Sequence, residues 1–171
     1  MTLPSVFIDR PFAHRGLHNA EMDRAENSKK SILAAIVAGY GIEIDLQLSC
    51  DGVPMVFHDY SLCRLTQANG PIAQRSAAEL GAINLLHEGG GIQTLSQVLN
   101  QIAGQVPLLI EFKDQDRQMG SNIGPLGRAA AEILRDYSGP YAVMSFNPHA
   151  VYELQHLLPE TPRGIVTDPY S

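Results

Sequence analysis

Residues 42–48 read Ile-Glu-Ile-Asp-Leu-Gln-Leu, and residues 108–113 read Leu-Leu-Ile-Glu-Phe-Lys. Both segments carry the period of two of a β-strand. In the first, Ile42, Ile44, Leu46 and Leu48 share one face, and Glu43, Asp45 and Gln47 share the other. In the second, Leu108, Ile110 and Phe112 alternate with Leu109, Glu111 and Lys113. A parallel sheet held between two helix layers is apolar on both faces, so strands with acids on one face do not suit it. A closed parallel barrel does. Helices cover its outside, and its inner face turns polar near the C-terminal mouth, where barrel active sites are built.

The rest of the chain fits that architecture. Further strands are predicted at 11–15, 54–58, 141–146 and 163–167. Ser28 is placed to cap a helix over 29–38, with Gly39 or Gly41 as its stop. Residues 94–103 carry a helical stripe of Leu95, Val98, Leu99 and Ile102, and 126–137 and 149–157 read the same way. Strand–helix alternation implies a mostly parallel sheet with helices over it. The expected fold class is therefore α/β, a TIM-type (β/α) barrel, as one domain over residues 1–171. Barrels of this kind run to about 250 residues. The expectation is thus a barrel truncated after about six strands, with its C-terminal strands missing. Completion by a second copy in a homo-oligomer, or closure on fewer strands, are the alternatives, because unclosed strands leave unpaired edges.

Composition narrows the function. A content of 44% hydrophobic and 18% charged residues is that of an ordinary globular domain. The net charge is −6 and the basic residues are scattered, which argues against nucleic acid or an anionic membrane as partner. No leader pattern and no membrane-length apolar run is present, so a cytoplasmic setting without stable membrane insertion is expected. Cys50 and Cys63 have no metal or redox spacing and are expected to be buried or half-buried free thiols.

The chemistry gathers at the strand ends. Glu43 and Asp45 lie roughly 6.7 Å apart along one strand, and Glu111 supplies a third carboxylate on the same inner face. Three carboxylates without cysteine suit a hard divalent cation, Mg²⁺ or Ca²⁺. His14 and His58 end two predicted strands and suit acid–base work near neutral pH. Arg15 and Lys113 add positive charge of the kind that holds phosphate. Singly, each feature has a duller reading: a solvated edge strand, a surface ion pair between Glu111 and Lys113, a capped turn at His58-Asp59. Jointly, at the ends of separate strands, they describe a site that hydrolyses a phosphate ester. His87, His149 and His156 are expected at the surface.

The order Ala-His-Arg-Gly (13–16), Glu26-Asn27, Ile-Glu-Ile-Asp-Leu-Gln-Leu-Ser-Cys-Asp-Gly (42–52), Pro-Met-Val-Phe-His-Asp (54–59), Leu-Cys-Arg-Leu-Thr (62–66) and Leu-Leu-Ile-Glu-Phe-Lys (108–113) resembles the glycerophosphodiester phosphodiesterase family. The resemblance implies a barrel that binds a divalent cation and cleaves small glycerophosphodiesters to glycerol 3-phosphate and an alcohol. By matching motif, Glu43, Asp45 and Glu111 would be the metal ligands, and His14 and His58 the acid–base pair. Arg15 and Lys113 would bind phosphate, with Glu26 and Asn27 completing the mouth. The family mechanism has the substrate's own glycerol hydroxyl attack phosphorus, giving a cyclic phosphate that water then opens. Two alternatives stand beside this reading. One is a related lipid phosphodiesterase, which the polar stretch after Asp59 disfavours. The other is a catalytically incomplete fragment retaining metal or phosphate binding, which keeping both histidines and all three carboxylates disfavours.

Overall fold

The computed structural model describes residues 3–167. The helices begin where the sequence supplies caps. Ser28 accepts from the Ser31 backbone N–H while the Ser31 hydroxyl reaches back, opening α1 (Lys29–Ala38), and Gly39 ends it at φ 72°. Thr94 and Gln97 form the same reciprocal cap for α3 (Leu95–Ile102). Ser76 and Glu79 do so for the short α2 (Ala77–Ala82). α4 spans Leu126–Leu134, three residues short of the predicted Tyr137, and α5 spans Pro148–Leu157 behind an Asn147 cap.

Among the described residues the sheet has six strands: β1 (Phe12–Ala13), β2 (Gly41–Leu48), β3 (Pro54–Val56), β4 (Leu108–Phe112), β5 (Tyr141–Ser145) and β6 (Arg163–Ile165). Five of them run parallel in the order β1-β2-β4-β5-β6, each joined to the next through a helix. This is the sequential winding of a TIM-type barrel. β3 differs: it pairs antiparallel with the end of β2, Leu46 opposite Val56 and Leu48 opposite Pro54. The predicted strand at 54–58 is thus a hairpin arm, ordered as a strand over Pro54–Val56 and paired in the sheet with the end of β2, not a barrel stave. β1 is also shorter than predicted, because Arg15 and Gly16 turn the chain at φ 56° and 75°. Only glycine fits at position 16, where a Cβ would lie 2.5 Å from Ser31 Oγ.

Burial follows the two faces. Ile42, Ile44, Leu46, Leu108 and Ile110 face outward into the main core with α1, α3, α4 and α5. Glu43, Asp45, Gln47 and Glu111 are buried on the opposite face. A second core, around Met55, Phe57, Leu62, Ile72 and Leu80, lies beneath the excursion that follows β3. That excursion closes where the Val56 N–H donates to Gln93 O at 2.8 Å and Met55 bridges Thr94. The cysteines depart from expectation: Cys50 and Cys63 are both exposed. Each lies in a turn whose inward position belongs to a neighbour, Ser49 in one case and Leu62 in the other. His87, His149 and His156 are exposed, as expected. Among the described residues no helix is long and apolar enough to cross a membrane.

Candidate active site

The register of the parallel pair β2–β4 sets Asp45 directly beside Glu111. Glu43 sits two residues earlier on the same face of β2, and ligand oxygens of the three lie within 4.8 Å of one another. Lys113 reaches back over them, its Nζ 2.6 Å from Glu111 Oε1 and 2.8 Å from Asp45 Oδ1. The other Asp45 oxygen accepts from Asn27 Nδ2 at 2.8 Å and lies 3.5 Å from Arg15 Nε. Glu43 Oε2 accepts from the Arg15 backbone N–H at 2.9 Å, which the positive φ at Arg15 turns inward. Glu43 Oε1, in contrast, is buried with no hydrogen-bond partner among the described residues.

These surroundings are costly for a carboxylate. Burial first, then the charges of Asp45 and Glu111, push the Glu43 carboxyl up to about 8. Burial alone would lower Lys113, but Asp45 and Glu111 outweigh it and hold the ammonium above its usual range. The observation that a cation fits is the orphaned Glu43 oxygen in a ring of three carboxylates. A hard divalent ion takes oxygen ligands at about 2.0–2.6 Å, and such a ring can furnish three.

The two histidines approach from different directions. His14 follows β1, exposed, with Nε2 3.9 Å from Glu43 Oε2. Partial burial, then the Arg15 charge, lower its affinity for a proton. His58 arrives on the returning hairpin. Phe57 N–H donates to Asp45 O at 3.0 Å, and Gln47 Nε2 donates to His58 O at 3.1 Å, so the backbone around His58 is pinned to β2. The His58 ring lies with Nδ1 2.6 Å from Asp59 Oδ1. His58, Tyr60, Glu111, Lys113, Arg117 and Phe146 help to line a cavity of about 530 Å³, with the Arg117 guanidinium 4.8 Å over the Tyr60 ring. A cleft of about 600 Å³ beside Lys29 and Gln101 is lined by none of Glu43, Asp45, Glu111, His14 and His58. The smaller cavity is the one that opens beside the chemistry.

Residues 14–169 match the model of the glycerophosphoryl diester phosphodiesterase family. The chain belongs to that family. YhdW of Bacillus subtilis, by its name a candidate glycerophosphodiester phosphodiesterase, is 28% identical over 136 residues, 75% of this chain and 54% of that protein. The solved structure of an Oleispira antarctica phosphodiesterase in complex with the product sn-glycerol-3-phosphate is 28% identical at a TM-score of 0.80. It covers 94% of this chain and 67% of that one. A glycerophosphodiester phosphodiesterase from Parabacteroides distasonis is 26% identical at a TM-score of 0.77, covering 91% of this chain and 64% of that one. The chain spans about half the length of the curated relatives it matches, 54% and 46% for two of them. The fold of this family member is accordingly a partial TIM-type barrel.

Within this glycerophosphoryl diester phosphodiesterase-family chain, the structure brings every predicted site residue to one end of the sheet, but not all in the expected posture. Glu26 and Asn27 are buried, and their polar atoms are taken up internally. Asn27 serves Asp45. Glu26 accepts from Arg15 Nη1 at 3.2 Å and from Arg64 Nη1 and Nη2 at 3.0 and 2.6 Å. Arg64 escaped the sequence reading, although it lies in the quoted Leu-Cys-Arg-Leu-Thr segment. Its Nε and Nη2 also donate to Asp59 at 2.6 and 2.7 Å. The Arg64 hydrogen bonds, helped by the His58 contact, outweigh burial and leave the Asp59 carboxyl depressed to about 2. Burial alone would raise Glu26, but Arg64 and Arg15 outweigh it, so its carboxyl also stays ionised below the usual range.

Proposed function

We propose that this chain hydrolyses glycerophosphodiesters to glycerol 3-phosphate and an alcohol, using a divalent cation and a histidine pair. The observation that carries the reading is the β2–β4 register, which gathers Glu43, Asp45 and Glu111 beside two histidines on separate arms. Glu43, Asp45 and Glu111 would hold Mg²⁺ or Ca²⁺. Bound there, the cation would polarise a substrate oxygen and neutralise charge on phosphorus. Arg15 and Lys113 lie at the carboxylate ring, placed to share their charge with a phosphate once a cation takes over part of the acidic load.

Proton movement falls to the imidazoles. One takes the proton of the attacking glycerol hydroxyl, and the other gives a proton to the departing alkoxide. The product of that displacement is a cyclic phosphate and the free alcohol. Water then opens the ring with the two histidines exchanging roles. An ionised Asp59 accepts only, so His58 carries its hydrogen on Nδ1 and presents Nε2. The two free thiols support a cytoplasmic setting.

The test is release of glycerol 3-phosphate from glycerophosphocholine and glycerophosphoethanolamine with Mg²⁺, Ca²⁺ or EDTA, beside a His14→Ala control. Cation-dependent turnover that the control loses is the expected result. A folded, cation-binding sample without turnover would sink the catalytic reading and leave an incomplete barrel that binds but does not cleave.

A further inference from the structure

Among the described residues two acidic groups share the mouth, and one of them keeps, at Glu43, a buried oxygen with no hydrogen-bond partner. In the other, ligand atoms of Glu26, His58 and Asp59 also lie within 4.8 Å of one another. There, however, a guanidinium occupies the space a cation would need. Arg64 grips both oxygens of Glu26 and both oxygens of Asp59 through four contacts of 2.6 to 3.0 Å. These contacts close a chain between the two histidine-bearing arms: Arg15 to Glu26, Glu26 to Arg64, Arg64 to Asp59, Asp59 to His58. The fork of Arg64 makes this geometry specific, because its planar donors fix the plane of each carboxylate it meets. Asp59 is therefore not free to rotate away from the imidazole beside it.

We infer that Arg64 is a positioning residue for His58. By locking the Asp59 carboxylate it fixes the Nδ1–H tautomer and the ring plane that aim Nε2 at the reacting phosphate, and through Glu26 it keeps that arm in register with Arg15. No atom of Arg64 needs to touch substrate. The inference rests on the phosphodiesterase reading for its kinetic consequence, but its structural consequence stands apart from turnover.

The experiment uses the whole chain with Arg64→Ala, Arg64→Lys and Asp59→Asn, each checked for folding by circular dichroism. The ¹⁵N shifts of the His58 ring are measured in all four proteins, together with kcat and KM on glycerophosphocholine. In the parent, His58 is expected as a single Nδ1–H tautomer. In Arg64→Ala it is expected to become a mixture, with kcat falling roughly tenfold to a hundredfold, as is usual when an orienting partner is removed, and KM within about twofold. Arg64→Lys, keeping charge without the fork, should recover part of kcat. An unchanged tautomer in folded Arg64→Ala overturns the inference, as does an unchanged kcat, or a loss confined to KM. If Arg64→Ala does not fold, Arg64→Lys and Asp59→Asn decide by the same tautomer readout. If the parent shows no turnover, the phosphodiesterase reading fails while the ¹⁵N arm still decides the role of Arg64.

Discussion

The mouth holds two carboxylate groups built from the same residue types to opposite ends. Glu26 and Asp59 are saturated: each of their oxygens has an arginine donor, and both carboxyls titrate below their ordinary values. Glu43, Asp45 and Glu111 share one lysine, one asparagine and part of Arg15, and Glu43 is left with a bare buried oxygen and a raised carboxyl. Saturation makes a rigid scaffold, and deficit makes a receptor. Acidic residues count as ligand candidates by what remains unpaired, not by how many cluster.

The largest expected effect removes the groups both clusters serve. His14→Ala or His58→Ala should each lower kcat by about 10²- to 10⁴-fold with little change in fold, read by glycerol 3-phosphate release. Equal loss of KM-controlled binding instead would mean that the histidines only seat substrate.

Next comes the deficit itself. Adding Mg²⁺ or Ca²⁺ at a hundredfold over Kd should stabilise the chain by about 2.7 kcal/mol, seen as a rise in Tm that EDTA reverses. Glu43→Gln should abolish most of that rise while leaving the cation-free protein as stable as the parent or more so, since it removes the cost of protonating, or of burying the charge of, an acid whose carboxyl is raised to about 8. A Glu43→Gln protein that keeps the full cation response would erase the difference between the clusters.

Glu26→Gln should do the reverse. It strands part of the Arg64 and Arg15 guanidinium donors, at an expected loss of about 1–3 kcal/mol in urea denaturation, with the cation response retained.

The smallest effect is on the acid limb of stability. The Asp59 carboxyl sits at about 2 in the folded chain, against an ordinary value of 3.8. A depressed acid contributes stability that is fully present above the unfolded value and lost as pH falls from about 4 toward 2. Asp59→Asn should therefore be destabilised at pH 7 and should flatten the acid limb in a Tm-versus-pH series. An unaltered limb would assign acid sensitivity to other carboxyls.

Much of this was legible in the sequence, because period and motif act locally. The alternation in 42–48 and 108–113 predicts both the buried apolar face and the carboxylate face, and the caps at Ser28 and Thr94 fall where the helices begin. The antiparallel course of β3 was also within reach. Only residues 49–53 separate it from β2, too few for a parallel crossover, which takes a dozen or more. Arg64 was not within reach. Its contacts to Glu26 span 38 positions and arise only when the excursion folds under its own core. Nothing in the spacing of Leu-Cys-Arg-Leu-Thr says which acid the arginine will meet. The exposed cysteines show the same limit, since which turn residue faces inward is decided by its neighbours.

The excursion between Phe57 and Gln93 leaves and returns through adjacent positions, Val56 being bonded to Gln93 while Phe57 is bonded to Asp45. Its two ends are thereby stitched to the hairpin, and its interior has a core of its own. Such a unit is a cassette. Residues can be inserted or deleted in its outer turns without moving the staves, so a lineage can reshape what covers the mouth while the carboxylate ring stays where the β2–β4 register put it.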